Sequence, residues 1–250
     1  MGRITETVKV ILIANILFYV GSLSIGEDAY SLFSMFFPLN EKFHFWQIVT
    51  HMFMHDPSMI FHILFNMFML YMFGSQMESY LGRNRFLFLY FSAGLGAVGL
   101  HLVINYLNYL PGYNAFMEAG FTASDVKNFL TNGVYNSRLL DYIDSNSLVK
   151  MFNSYNSPML GASGAIFGLL AAFTVLYPNL PLMIMFIPIP IKAKYLIGGY
   201  FALNLISAVS GVSLAGPSNT AYWAHIGGAA VGFIIMYYWK KNSFNDHRWN

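Results

Sequence analysis

No cysteine occurs in the 250 residues, which excludes disulfides, thiolate catalysis and cysteine-bound metal. Charge is nearly as scarce. Asp, Glu, Lys and Arg make up 10% of the chain, where a soluble domain carries about 25%. The net charge is +2, and no basic stretch is interleaved with aromatics, so nucleic acid is not expected as a partner. In place of charge there is apolar surface, with 56% of residues hydrophobic and a mean hydropathy of +0.51. This is the composition of an integral membrane protein, with the lipid bilayer as its solvent.

Apolar runs at 8–23, 59–80, 86–107, 159–177, 195–212 and 222–238 predict six transmembrane helices in one membrane domain spanning 1–250. The expected fold is all-α and polytopic. The first run lies close to Arg3 and contains Lys9, a basic start that signal peptides share, but no small-x-small cleavage site follows, so it reads as a span. Residues 182–191 are apolar but short and broken by Pro188 and Pro190, which suits an interfacial lead-in. Residues 27–57 scatter Phe36, Phe37, Phe43, Phe45 and Trp46 among polar groups and read as interfacial.

Residues 108–158 are rich in Asn, Ser and Asp and predict an external loop or small helical insert without catalytic signal. Thr122 or Ser124 could cap a helix there, with Asp125 favouring its dipole. Asp141 and Asp144 read as solvated. With the N-terminus inside, Arg3, Lys9, Arg83, Arg85, Lys192, Lys194, Lys240, Lys241 and Arg248 fall on the cytoplasmic side, leaving Lys42, Lys127, Arg138 and Lys150 outside. That asymmetry predicts two cytoplasmic termini.

Against this apolar background, a few polar residues stand out, because such groups inside a bilayer are costly without a partner or a function. Ser163 lies in Gly161-Ala162-Ser163-Gly164, among small residues at the start of a span. A serine hydroxyl becomes a nucleophile only beside a base, and the candidate base is His225 in the last span. His62 and Asn66 share one helical face by their i, i+4 spacing, which by itself suits interhelical hydrogen-bonding glue. His51 and His55 have the same spacing but no intervening acid of the H-E-x-x-H kind, so no metal or cofactor is expected.

Counting from the inner ends at about 1.5 Å per residue, Asn66, Ser163 and His225 each lie about 21 Å in, at one depth. Gly164 with Gly168, and Gly228 with Gly232, form two G-x-x-x-G pairs that let helix backbones approach and would bring Ser163 to His225.

The Gly161-Ala162-Ser163-Gly164 run, the Ala224-His225-Ile226-Gly227-Gly228 run with Gly232, and the His62 to Asn66 run resemble the rhomboid family of intramembrane serine proteases. The resemblance implies a six-helix bundle with an outward-opening cavity and transmembrane proteins as substrates. Carried over by position, Ser163 is the nucleophile, His225 the base, and His62, Asn66 and the Ser163 N–H the oxyanion donors. Phe167 matches an aromatic that stacks on the histidine. The alternative is a catalytically inactive relative that binds membrane proteins. Two departures stand out: Trp46-Gln47 where the family often has Trp-Arg, and the length of the 108–158 segment.

Overall fold

The computed structural model describes residues 3–184, 187–217 and 220–243; Arg248, counted above among the cytoplasmic charges, lies outside them. Helices occupy all six expected stretches. They are α1 (Glu6–Ile25), α4 (Ile60–Met69) running through a π-helical turn at Leu70–Gly74 into α5 (Ser75–Leu81), α6 (Arg83–Glu118), α9 (Ser163–Leu176), α10 (Ala193–Ser210) and α11 (Tyr222–Ser243). Three of these stretches, Glu6–Ile25, Ile60–Leu81 and Arg83–Glu118, are long and apolar enough to cross a membrane. Short helices α2 (Glu27–Phe33) and α3 (Gln47–Thr50), the latter continued by a 3-10 turn at His51–Phe53, lie in the 27–57 segment. In the insert are α7 (Ala123–Asn132) and α8 (Ser145–Asn156).

The centre of the bundle is a seam of small residues. A Cβ on Gly228 would run into the Gly164 carbonyl, and one on Gly232 into the Gly168 backbone, so α9 and α11 touch main chain to main chain. A Cβ on Gly227 would meet the Gly96 carbonyl, which draws α6 into the same contact. Around the seam a cluster including Leu89, Tyr90, Leu169 and Phe173 is buried.

At the opposite edge α1 is fastened by a borrowed carboxylate. Its N-cap Thr5 makes no side-chain cap of its own. Instead the buried Glu78 of α5 accepts from the Thr7 and Val8 amides at 3.1 and 3.0 Å, and from the Thr5 hydroxyl. Outward, α1 exposes Val10, Ile13, Leu17 and Val20.

One expectation is corrected. The third span does not stop near 107: α6 continues through Pro111 to Glu118, because Tyr109, Gly112, Ala115 and Phe116 are buried. A Cβ on Gly112 would clash with Met151, so α8 lies directly against this extension. With 36 residues at about 1.5 Å each, α6 is about 54 Å long and outruns a hydrocarbon core of about 30 Å. The 108–158 segment therefore begins inside a helix and folds around its projecting end, with its own core of Phe116, Val126, Phe129, Leu139, Leu148 and Met151.

Residues 182–191, read as too short and broken to span, take a form that the run alone does not announce. Residues Pro181–Ile184 (β1) and Ile187–Lys192 (β2) form an antiparallel hairpin. Alternating Ile and Pro has the period of a strand, and a two-stranded ribbon has outer edges where a missing N–H is tolerated.

Within the insert, Thr122 caps α7 and Asp125 reciprocates, while Asp144 accepts from the Ser147 amide at 3.0 Å to cap α8. The Thr122 hydroxyl, its largest influence, holds the Asp125 carboxyl below the usual carboxylate range. A lowered folded pKa means that this cap contributes above the unfolded value and is lost as pH falls through the folded one.

Candidate active site

Ser163 is the first residue of α9, and Ala162 is its N-cap. N–H groups in the first turn have no acceptor within the helix and carry its partial positive charge, so the Ser163 amide is free to meet an anion. The segment before it is held from two sides. Met35 and Met159 exchange backbone hydrogen bonds of 2.8 and 2.9 Å, and the Gly161 amide donates to the His51 carbonyl at 2.9 Å. Gly161 has φ +120°, and a Cβ there would lie 2.9 Å from His62 Nε2 and 3.6 Å from Ser163 Oγ, so backbone and space both require glycine.

One turn into α11, His225 places Nε2 2.9 Å from Ser163 Oγ. Phe167, one turn after Ser163, stacks on the imidazole with centroids 4.0 Å apart and planes 10° apart. At the other end of the ring, Nδ1 lies 2.8 Å from Asn204 Oδ1.

From α4, His62 Nδ1 accepts from the Asp56 amide at 3.4 Å, which leaves Nε2 as the nitrogen bearing hydrogen on the Gly161 side. Asn66 is buried, and its Nδ2 has no hydrogen-bond partner among the described residues. Leaving a buried amide donor unpaired costs about 1–3 kcal/mol. An amide serving only as interhelical glue would be paired.

His62, Asn66, Ser163 and His225 line one cavity of about 1030 Å³, together with Gly161, Gly164 and Phe167. Gly228 is in the α9–α11 seam instead. The insert was expected to stand apart from the site, yet its last residues Asn156, Ser157 and Pro158 line the cavity. They are carried there because α8 is tied to the 27–57 segment, where the Asn40 amide donates to the Tyr155 carbonyl at 2.7 Å; from α7, Lys127 pairs with Glu41 of the same segment at 2.7 Å. That pair is exposed and contributes little.

Gln47 has a structural use. Fully buried, its amide donates to the carbonyls of Ser31 and Lys42 at 3.0 and 2.8 Å and accepts from the Phe36 amide at 3.2 Å. The adjacent Trp46 donates to the Leu32 carbonyl at 2.8 Å. His51, whose Nδ1 lies 2.9 Å from the Gln47 carbonyl, relays this anchoring to Gly161. His55 turns elsewhere, its ring 5.1 Å from that of His62.

Asn204 is the residue that sequence reasoning missed. Its signal was present, since an amide midway along the apolar 195–212 run calls for a partner as much as Asn66 does.

A family model described as the Rhomboid domain matches residues 42–242. The chain belongs to the rhomboid family. It is accordingly an integral membrane protein built as a polytopic helical bundle, with α1 and α2 preceding the matched rhomboid region. Among curated proteins this rhomboid is similar to Rhomboid protein 1, mitochondrial, of Saccharomyces cerevisiae, with 34% identity over 87 residues. That match covers 34% of this chain and 23% of the yeast protein.

Proposed function

We propose that this rhomboid is an intramembrane serine endopeptidase that cleaves transmembrane segments of other membrane proteins. The observation that carries the reading is the 2.9 Å contact between Ser163 Oγ and His225 Nε2 inside a cavity that also holds an unpaired buried amide donor. Ser163 attacks the scissile carbonyl while His225 takes its proton; His225 then returns a proton to the leaving amine, and water hydrolyses the acyl-enzyme. The developing oxyanion is met by the Ser163 amide at the α9 N-terminus, His62 Nε2–H and Asn66 Nδ2. These donors are in place before the reaction, usually the largest catalytic contribution. A substrate helix must unwind locally to offer its carbonyl, so helix-weakening residues favour cleavage.

Six helices cross the bilayer in this reading, with the start of α1 and the end of α11 on the cytoplasmic side and the cavity opening externally. In support, the basic ends share one end of the bundle. Lys240 donates to the Val175 carbonyl at 2.7 Å, Arg85 lies 5.8 Å from the Trp239 ring, and Arg3 and Tyr177 line one cavity. A fluorophosphonate probe tests the chemistry: the oxygen of an activated serine attacks its phosphorus and displaces fluoride, leaving a phosphonate ester, so the wild type labels on the peptide containing Ser163. Failure to label a folded preparation overturns the proposal.

The oxyanion assignment gives a separate expectation. Asn66→Ala and His62→Ala each lower kcat by about 10²- to 10³-fold, with little change in thermal midpoint. A lowered midpoint with unchanged turnover per folded molecule would identify the two side chains as helix glue instead.

A further inference from the structure

Among the described residues, one polar side chain of α10 reaches the imidazole without having a part in the chemistry above. Asn204 is fully buried. Its Nδ2 donates to the Tyr200 carbonyl one turn earlier at 2.8 Å. That bond fixes which way round the amide sits, so it is Oδ1 that faces His225 Nδ1 at 2.8 Å.

An amide oxygen only accepts. The nitrogen opposite it must therefore carry hydrogen, and a neutral imidazole has one N–H to give. With that hydrogen on Nδ1, the lone pair is on Nε2, 2.9 Å from Ser163 Oγ. The other tautomer would point an N–H at the serine and could take no proton from it. Phe167 fixes the plane of the ring but leaves it free to turn within that plane. The contact with Oδ1 removes that freedom. A carboxylate could orient the ring too, but a charge at this depth is costly, whereas an amide is not.

We propose that Asn204 is a positioning residue that holds His225 in the Nδ1–H tautomer and so keeps Nε2 ready to accept the Ser163 proton. The inference rests on the reading of Ser163 and His225 as nucleophile and base. The competing role is interhelical glue between α10 and α11, which predicts lost stability and no change in turnover.

The test uses the full chain in liposomes, with cleavage of a transmembrane test substrate, fluorophosphonate labelling of Ser163 and thermal midpoint measured on the same preparations. Asn204→Leu lowers kcat about 10- to 100-fold, the cost of one unmade buried hydrogen bond, with KM within about twofold. Asn204→Asp, held neutral at this depth, keeps an acceptor toward His225 Nδ1 and a donor toward the Tyr200 carbonyl, and recovers most of that loss. In the wild type, ¹⁵N spectra of labelled histidine, with His225 assigned by its loss in His225→Gln, show hydrogen on Nδ1. Wild-type kcat per folded Asn204→Leu molecule, or equal losses in the Leu and Asp variants, overturns the proposal. So does hydrogen on Nε2 in the wild type, a result that does not depend on any Asn204 variant folding. If the wild type shows no Ser163 labelling at all, the protease reading falls and this one with it.

Discussion

Ser163→Ala is expected to lower cleavage of a transmembrane test substrate by at least about 10⁴-fold, with His225→Ala close behind. Residues that act as a unit fail as a unit, so the double variant should be no worse than the worse single one. Each variant should remain folded. Ser163 is only part-buried, and truncating its side chain removes a single hydrogen bond to His225, while the α9–α11 contact is made by glycine backbone elsewhere. Rates and thermal midpoints from the same liposome preparations decide the matter. Cleavage by Ser163→Ala at anything near the wild-type rate removes the serine mechanism altogether.

The second large effect is expected in the glycine seam. Gly232→Val places a side chain against the main chain of Gly168, and a backbone cannot rotate aside as a long side chain can. Overpacking in well-packed cores costs about 1–3 kcal/mol and sometimes more; here two helices must separate, so the upper end or beyond is expected. Because α9 carries Ser163 and α11 carries His225, the same displacement should end probe labelling. Gly198→Val is the control, since a Cβ at Gly198 meets nothing within 4 Å. The outcome that would remove the seam from the account is a Gly232→Val protein as stable and as reactive as the Gly198→Val control.

How much of this was legible follows from the range of the interactions. Ser163, His225 and the glycines could be read because a bilayer makes each polar group and each close approach conspicuous against an apolar background. His62 and Asn66 were legible as a pair through helical spacing alone. The end of α6 was not. Pro111 with Asn108 and Asn114 around it argues locally for a stop, and only the burial of Gly112 against Met151 of α8 and of Phe116 against Phe129 of α7 overrides them. The hairpin at 181–192 was hidden for a related reason, as a short apolar run with prolines fits several outcomes until its partner strand is known. Asn204 is the instructive omission, for its position in an apolar run was as anomalous as that of Asn66. Its partner, however, is 21 residues away on another helix, a pairing that no local spacing announces.

The borrowed carboxylate of Glu78 has a consequence for how the chain is made. The amides at the start of α1 find their acceptor 70 and 71 residues further on. During synthesis α1 therefore enters the membrane with its first turn unfinished, and it stays so until α5 has emerged and swung alongside. The last turn of the second hydrophobic segment thus completes the first turn of the first, and the two are finished together.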